Sequence, residues 1–216
     1  MKKNTNDVII ATPESKIKHA TIHIIGDSDL ILNKMNARNT RMLMASDRKA
    51  IREQPNLWED LITSIHWKNE LPMKDTYTES NEEMMHRLLE ENTPCITAFG
   101  LKKSFGQTVV RTGMDKYATS FDASLNISGQ GLIPVTFNGW GYIEQLMSPK
   151  RGAPIVVALN HFRGWEAEFT IAYLDGVYSR DKLIEIINMA GFSIGIGSGR
   201  TSGYGRYHVS EVKLPE

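Results

Sequence analysis

The sequence predicts an α+β fold of the ferredoxin-like or RRM-like kind, an antiparallel sheet with two helices on one face and a helical insertion. Three stretches alternate apolar and polar side chains, which is typical of half-buried strands. Two others carry helix start signals and apolar residues at helical spacing. The other face of the sheet is then free for a ligand. The predicted order is strand 20–25, helix 94–112, strand 120–127, strand 165–173, helix 179–190 and strand 206–214.

Composition restricts the class of protein. The chain has 216 residues, with 25 basic and 25 acidic side chains, which fits one domain over residues 1–216. No apolar run approaches the roughly 18 residues that span a bilayer, and the start lacks a signal peptide, so we expect a cytoplasmic protein with no membrane partner. Cys95 is the single cysteine, which excludes an internal disulfide and a cysteine metal cage. We predict no metal and no cofactor.

Residues 30–91 form the predicted insertion. The first strand ends at Gly26 and Asp27, and a helical pattern broken by Pro55 and Pro72 follows. This stretch is longer than the connection between a strand and a helix requires, so we expect it to serve function or assembly. Methionines that fill irregular contacts are frequent in it: Met35, Met42, Met44, Met73, Met84 and Met85.

Charge is segregated within this insertion. Residues 34–52 are mostly basic, whereas residues 59–91 are mostly acidic. One interpretation is a pair of solvated helix faces. The other is a basic surface for nucleic acid beside an acidic surface for a partner subunit. The basic residues are Lys34, Arg38, Arg41, Arg48, Lys49 and Arg52.

The middle of the chain supplies the next elements. Pro94 suits the first position of the helix over 94–112, and Pro134 predicts an edge position for the strand over 132–137. Residues 155–160 and 165–173 give the clearest hairpin signal. Its tip would expose Phe162 and Arg163 together.

A glycine-rich loop follows the last helix. Ser179 suits the N-cap of that helix and Gly191 its end. Glycine permits positive φ and close approach to a ligand or to a neighbouring chain. Arg200 and Arg206 supply charge that such a loop could direct at an anion. The loop glycines are Gly195, Gly197, Gly199, Gly203 and Gly205.

Two familiar phosphate loops are excluded. A P-loop would need glycine where Ile194 stands and lysine where Arg200 stands. The dinucleotide fingerprint fails because Arg200 occupies the third glycine position and because the order is helix, loop, strand. Two interpretations stay open, a connection that permits close packing and an anion-contacting loop.

The core followed by the loop from Gly195 to Arg206 resembles the repeat-associated mysterious proteins (RAMP) of CRISPR systems, especially their backbone subunits. The chain is also similar to small uncharacterised bacteriophage proteins that share an early strand, the Trp165-x-Ala-x-Phe169 strand and the Ala190-Gly191 and Gly-Ile-Gly ending. The resemblance implies contact of Arg200 and Arg206 with RNA or another single strand, oligomerisation along a strand, and a phage source. Residues 30–91 match no such motif.

The favoured function is non-catalytic binding of single-stranded nucleic acid, RNA ahead of DNA, by a homo-oligomer or a subunit of a larger ribonucleoprotein. One alternative is a metal-independent endoribonuclease that uses His23 or His208. Another is a phage protein that binds a host defence complex and inhibits or mimics it. Phe162 and Trp165, or the insertion tryptophans Trp58 and Trp67, are candidates for stacking on bases. The predicted contact residues are Arg38, Arg41, Arg48, Lys49, Phe162, Arg163, Gly195, Gly197, Gly199, Arg200, Gly203, Gly205 and Arg206.

Overall fold

The computed structural model describes residues 17–44, 55–72, 77, 79–128, 131–147 and 155–214. These residues form helices and two antiparallel sheets, which confirms the α+β class. Arg48, Lys49 and the loop 148–154 lie outside the described residues. The elements are β1 (Ile17–Gly26), β2 (Leu30–Leu32), α1 (Ala37–Met44), α2 (Leu57–Thr63), β3 (His66–Trp67), α3 (Glu82–Glu91), β4 (Pro94–Thr97), α4 (Ala98–Arg111), α5 (Ala118–Ser124), β5 (Leu125–Ile127), β6 (Leu132–Thr136), β7 (Gly139–Met147), β8 (Ile155–Arg163), β9 (Glu166–Leu174), α6 (Arg180–Ser193), a 3₁₀ turn (Arg200–Ser202) and β10 (Tyr207–Lys213).

The larger sheet contains the expected split βαβ arrangement. Its strand order is β10-β1-β9-β6-β4-β3, and β5 also pairs with β9. The core order β1, α4, β5, β9, α6, β10 is therefore that of a ferredoxin-like unit, and every pairing is antiparallel. The smaller sheet has the order β2-β8-β7.

Alternation along the central strands builds the core. Ile22 and Ile24 of β1 and Phe169 of β9 point inward and are buried. The buried sides of α4 and α6 join the same cluster, and the rings of Phe105 and Phe169 lie 6.3 Å apart between centroids. Burial of each such apolar side chain contributes roughly 1.5–3 kcal/mol, so this layer holds the sheet and both helices together.

The predicted hairpin between residues 155 and 173 is wrong. β8 pairs with β7 in the smaller sheet, whereas β9 pairs with β1 in the larger one. Gly164, at φ 56°, turns the chain between the two sheets. Trp165 is buried there and its Nε1 donates to the Ser28 carbonyl at 2.7 Å. Alternation tells which side chains face a core, but it does not tell which strand is the partner.

Two further boundaries differ from the expected ones. Residues 94–97 are β4, and α4 begins at Ala98 because the Thr97 hydroxyl accepts from the Gly100 amide at 3.0 Å. Residues 118–124 are helix α5, and only residues 125–127 form a strand. Phe121 and Ser124 are both buried. A spacing of three places them on one helix face, so the apparent period of two was the weaker signal.

Pro134 does not mark an edge strand. β6 lies between β4 and β9, and it changes partner at this residue. Pro134 pairs with Cys95 of β4, and the pairing with β9 begins only at Val135. A residue without an N–H is tolerated at this change of partner because no second ladder depends on it.

The stretch 30–91 is not purely helical. It contains α1, α2 and α3, but β2 joins the smaller sheet and β3 pairs with β4 at the end of the larger one. Its assignment as part of one domain stays a prediction. None of the helices in the described residues is long and apolar enough to cross a membrane.

Two glycines of the loop give a matched test of its packing. A Cβ on Gly205 would lie 1.9 Å from the Ile196 carbonyl oxygen, whereas a Cβ on Gly203 would meet no atom within 4 Å. Both have positive φ, 70° and 89°. We expect Gly203→Ala to lower the free energy of unfolding by about 1–2 kcal/mol through φ alone. Gly205→Ala should cost clearly more. Urea denaturation of both variants measures this, and equal losses would contradict the packing role.

Candidate functional site

The loop from Gly195 to Arg206, called the glycine loop, is hydrogen-bonded to β2 and to the turn that precedes it. The Ser198 amide donates to the Ile31 carbonyl and the Gly205 amide donates to the Asp29 carbonyl, both at 2.8 Å. The Arg206 amide donates to the Ser28 hydroxyl at 2.9 Å. These loop amides are therefore occupied by the protein itself. The packing interpretation of the loop accounts for them.

The Arg206 side chain makes a hydrogen bond within the glycine loop. Its Nη2 donates to the Arg200 carbonyl at 3.2 Å, and its Nη1 is buried. This guanidinium therefore holds the 3₁₀ turn in place. Arg200 instead lines a cavity beside the loop.

That cavity has a volume of about 310 Å³ and lies between the loop, β2, β4 and the first turn of α4. None of its lining residues is acidic, and all of them belong to the described part of the chain. Amides in the first turn of a helix lack helical partners and favour negative charge nearby. We call this the cationic cavity. Its polar and charged lining residues are Asn33, Lys34, His66, Thr97, Lys103, Ser198 and Arg200.

The cavity changes the ionisation of its lining groups. Partial burial of the ammonium lowers the pKa of Lys34, and the nearby Glu70 carboxylate opposes that effect. Burial also lowers the pKa of His66, and the charge of Lys34 lowers it further. Burial raises the pKa of Cys95 to about 11, so this thiol is protonated at neutral pH and is a poor nucleophile.

A second cavity of about 440 Å³ adjoins the first, because Lys34 and His66 line both. Its walls are more apolar and include Met35, Leu71 and Leu132, together with one carboxylate, that of Glu70. The two cavities form one recess on the side of the larger sheet where β3, β4 and β6 lie.

Two arginines of the predicted basic segment form ion pairs with carboxylates of α2. Arg38 donates to both carboxylate oxygens of Asp60, at 3.0 and 2.6 Å. Arg41 lies 2.8 Å from the carboxylate of Glu59, which is buried. These pairs join α1 to α2, so a structural role accounts for both arginines.

Of the predicted stacking residues, Phe162 and Trp165 are wrong. Phe162 and Trp165 are both fully buried, and the Phe162 ring packs edge-to-face on Phe137 at 5.0 Å. Neither ring can therefore stack on a base. Arg163 is exposed, and its guanidinium runs alongside Gly139. The predicted hairpin placed Phe162 at its exposed tip, whereas the change of sheet after Arg163 places it in the core.

Of the predicted contact residues, Gly197 and Arg200 line the cationic cavity. Lys34 and Lys103 also line this cavity but were not among the predicted contact residues, although Lys34 lies in the basic stretch 34–52 and Lys103 follows Lys102 in α4. The sequence reasoning also missed Phe99, which lines the same cavity and is exposed. The available signal was an aromatic residue in the first turn after the Thr97 cap, followed by Lys102 and Lys103 in the next turn.

The face of the larger sheet that points away from α4 and α6 is rich in carboxylates. His23 shares a hydrogen bond with the Ser210 hydroxyl at 2.6 Å, and its Nε2 lies 3.3 Å from the Glu166 carboxylate. Glu168 forms an ion pair with Lys213 at 3.0 Å. Carboxylates at these positions repel phosphate, so this face suits a nucleic-acid backbone poorly.

Comparisons with known proteins give a distant likeness only. No family model and no curated protein matches the chain. One solved structure is a type III-B Cmr-beta bound to cognate target RNA, with 10% identity and a TM-score of 0.47 over 93% of this chain. Our chain spans 61% of that chain's length. Another is Cmr6 from Pyrococcus furiosus, with 9% identity and a TM-score of 0.39, covering 90% of this chain and 99% of that one.

At these identities and TM-scores the resemblance expected from the glycine loop stays a prediction. Neither structure is described as a bacteriophage protein, so the phage source stays a prediction.

The pKa of His66 tests the electrostatics of the cationic cavity. Lys34→Met should raise the pKa of His66, because it removes a nearby positive charge that opposes protonation. The rise should be partial, since burial is the larger cause of the lowered value. Lys103→Met is the matched control and should leave the pKa unchanged. An NMR titration of the His66 ring measures it, and an unaltered value in Lys34→Met would contradict the assignment.

Proposed function

We propose that this protein binds single-stranded nucleic acid, RNA ahead of DNA, without cutting it, and that phosphates occupy the cationic cavity. One observation carries the proposal. Lys34, Lys103 and Arg200 come from three separate parts of the chain and line one cavity whose described lining contains no carboxylate.

Like charges in a partly desolvated recess raise the free energy of the empty site. Burial is the main cause of the lowered pKa of both Lys34 and His66, and for His66 the like charge of Lys34 adds to it. An anion would offset this free-energy cost, and charge-assisted hydrogen bonds to phosphate are stronger than neutral ones. Because the whole chain has no net charge, the attraction is local to the cavity.

The shape of the recess favours a single strand over a duplex. A duplex keeps its phosphates on a rigid outer surface, whereas a single strand can turn individual phosphates into a concavity. The adjoining, more apolar cavity extends the recess beyond one phosphate. Phosphate contacts of this kind give affinity without reading sequence.

A second candidate is metal-independent cleavage of RNA. The contact that favours it is His23, held between the Ser210 hydroxyl and the Glu166 carboxylate. The carboxylates on that face disfavour a bound phosphodiester, so binding remains the first proposal. Cleavage in EDTA that disappears in His23→Ala would reverse this order. Binding to a host defence complex stays a prediction.

Salt-dependent binding tests the site. Lys34→Gln, Lys103→Gln and Arg200→Gln should each weaken binding of a single-stranded RNA by roughly tenfold or more, since hydrogen bonds to charged groups contribute about 1.5–3 kcal/mol. Each should also reduce the slope of log K against log salt by about 0.7. Filter binding or fluorescence anisotropy over a salt series measures both quantities.

Charge-matched controls lie outside the cavity. Lys18 pairs with Asp175 at 2.6 Å and Lys213 pairs with Glu168 at 3.0 Å. Lys18→Gln and Lys213→Gln should therefore leave affinity and slope nearly unchanged. If they weaken binding as much as the cavity variants do, the attraction is diffuse and the proposed site is wrong.

We also propose that the chain assembles with copies of itself or with other subunits. β7 pairs only with β8 among the described strands, so its outer edge is available. Leu146 and Val156 form a cross-strand pair on this hairpin and are each 66% exposed. Apolar residues on an unpaired edge favour contact between chains.

Light scattering with and without single-stranded RNA tests assembly. We expect a mass above that of the 24.3 kDa chain, and a smaller mass for Leu146→Lys, because a charge on an edge opposes pairing. Glu144→Lys on the same strand is the control for added charge. A strict monomer under both conditions would refute this proposal.

A further inference from the structure

We infer that the site holds a nucleotide, not merely a phosphate chain, with a base stacked on the ring of Phe99. This inference rests on the proposed function and names the part of the single strand that the site uses in addition to phosphate. Phe99 lies in the first turn of α4, lines the cationic cavity and is 74% exposed.

The exposure of Phe99 needs an explanation. Three large apolar residues of the same helix face the core and are fully buried: Leu101, Phe105 and Val109. Phe99 is not part of that core in the described residues. An exposed aromatic ring beside a cationic recess provides a flat surface on which a base can stack.

Phe99 and Lys103 act as a pair. They are four residues apart on one helix, so they share a face, and the Lys103 ammonium lies 5.6 Å from the ring centroid. The same pair thus offers an aromatic surface and a cation side by side. A nucleotide has a flat π face and a phosphate in close succession, which matches this arrangement.

The other two cations of the cavity can contact the phosphates of the same strand. Lys34 and Arg200 line the same cavity as Phe99, so the phosphates of a strand can stay inside while one base lies against the ring. Bases of a duplex are stacked on each other and cannot present a free face. All four bases have such a face, so stacking here gives single-strand selectivity without sequence preference.

The experiment compares Phe99→Ala with Phe192→Ala. Phe192 is also an exposed phenylalanine near a helix end, at 84%, but it does not line the cavity. The probes are a single-stranded RNA oligonucleotide, an RNA duplex of the same length and inorganic polyphosphate. We expect Phe99→Ala to weaken binding of the single strand about 5- to 150-fold, the range of one base–aromatic stack. The salt slope and polyphosphate binding should not change.

Phe192→Ala should bind all probes as the parent does. Phe99→Leu keeps an apolar side chain without a ring and should behave as Phe99→Ala does, whereas Phe99→Trp should retain binding and show fluorescence quenching by the RNA. Thermal denaturation verifies that each variant is folded.

Three results would overturn the inference: equal single-strand binding by Phe99→Ala and parent, equal loss of polyphosphate binding, or a duplex bound as tightly as the single strand. A parent chain that binds neither polyphosphate nor RNA would instead refute the proposed function itself.

Discussion

The close approach of the glycine loop to the turn between β1 and β2 is the constraint on which the rest of the structure depends. A Cβ on Gly197 would lie 2.5 Å from the Ile31 carbonyl oxygen, and a Cβ on Gly191 would lie 1.9 Å from that of Tyr207. Backbone therefore packs directly on backbone. The bridge between Ile31 and Ser198 then ties the loop that precedes β10 of the larger sheet to β2 of the smaller one. The cationic cavity lies where these parts meet.

This constraint decides which cations are available to a ligand. Arg206 is drawn into the loop, and Arg38 is paired with Asp60 on the neighbouring helix. Arg200, in contrast, is carried by the 3₁₀ turn to the rim of the cavity, where Lys34 and Lys103 also lie. A chain with no net charge can therefore still concentrate positive charge at one place. Position within the fold, and not the number of cations in a window, determines the surface potential.

The sequence allowed the core elements to be predicted but not their partners. The alternation in β1 and β9 and the apolar face of α6 are properties of single segments, and the structure confirms them. The partner of β8 and the burial of Phe162 depend on the chain changing sheet at Gly164, which no local period reports. The cavity is still harder to predict from the sequence, because the residues that line it lie far apart in the chain. Only the loop arginines drew attention to that region, and of the two only Arg200 lines the cavity.

The start of α4 shows how core and site are linked. Thr97 ends β4 and caps the helix, which fixes the rotation of every side chain after it. That rotation places Leu101 and Phe105 against the sheet and, on the opposite side, Phe99 and Lys103. The same cap therefore sets the packing of the core and the direction of the residues that line the cavity. The helix thus fixes the backbone positions of Phe99 and Lys103 relative to each other, one turn apart on one face.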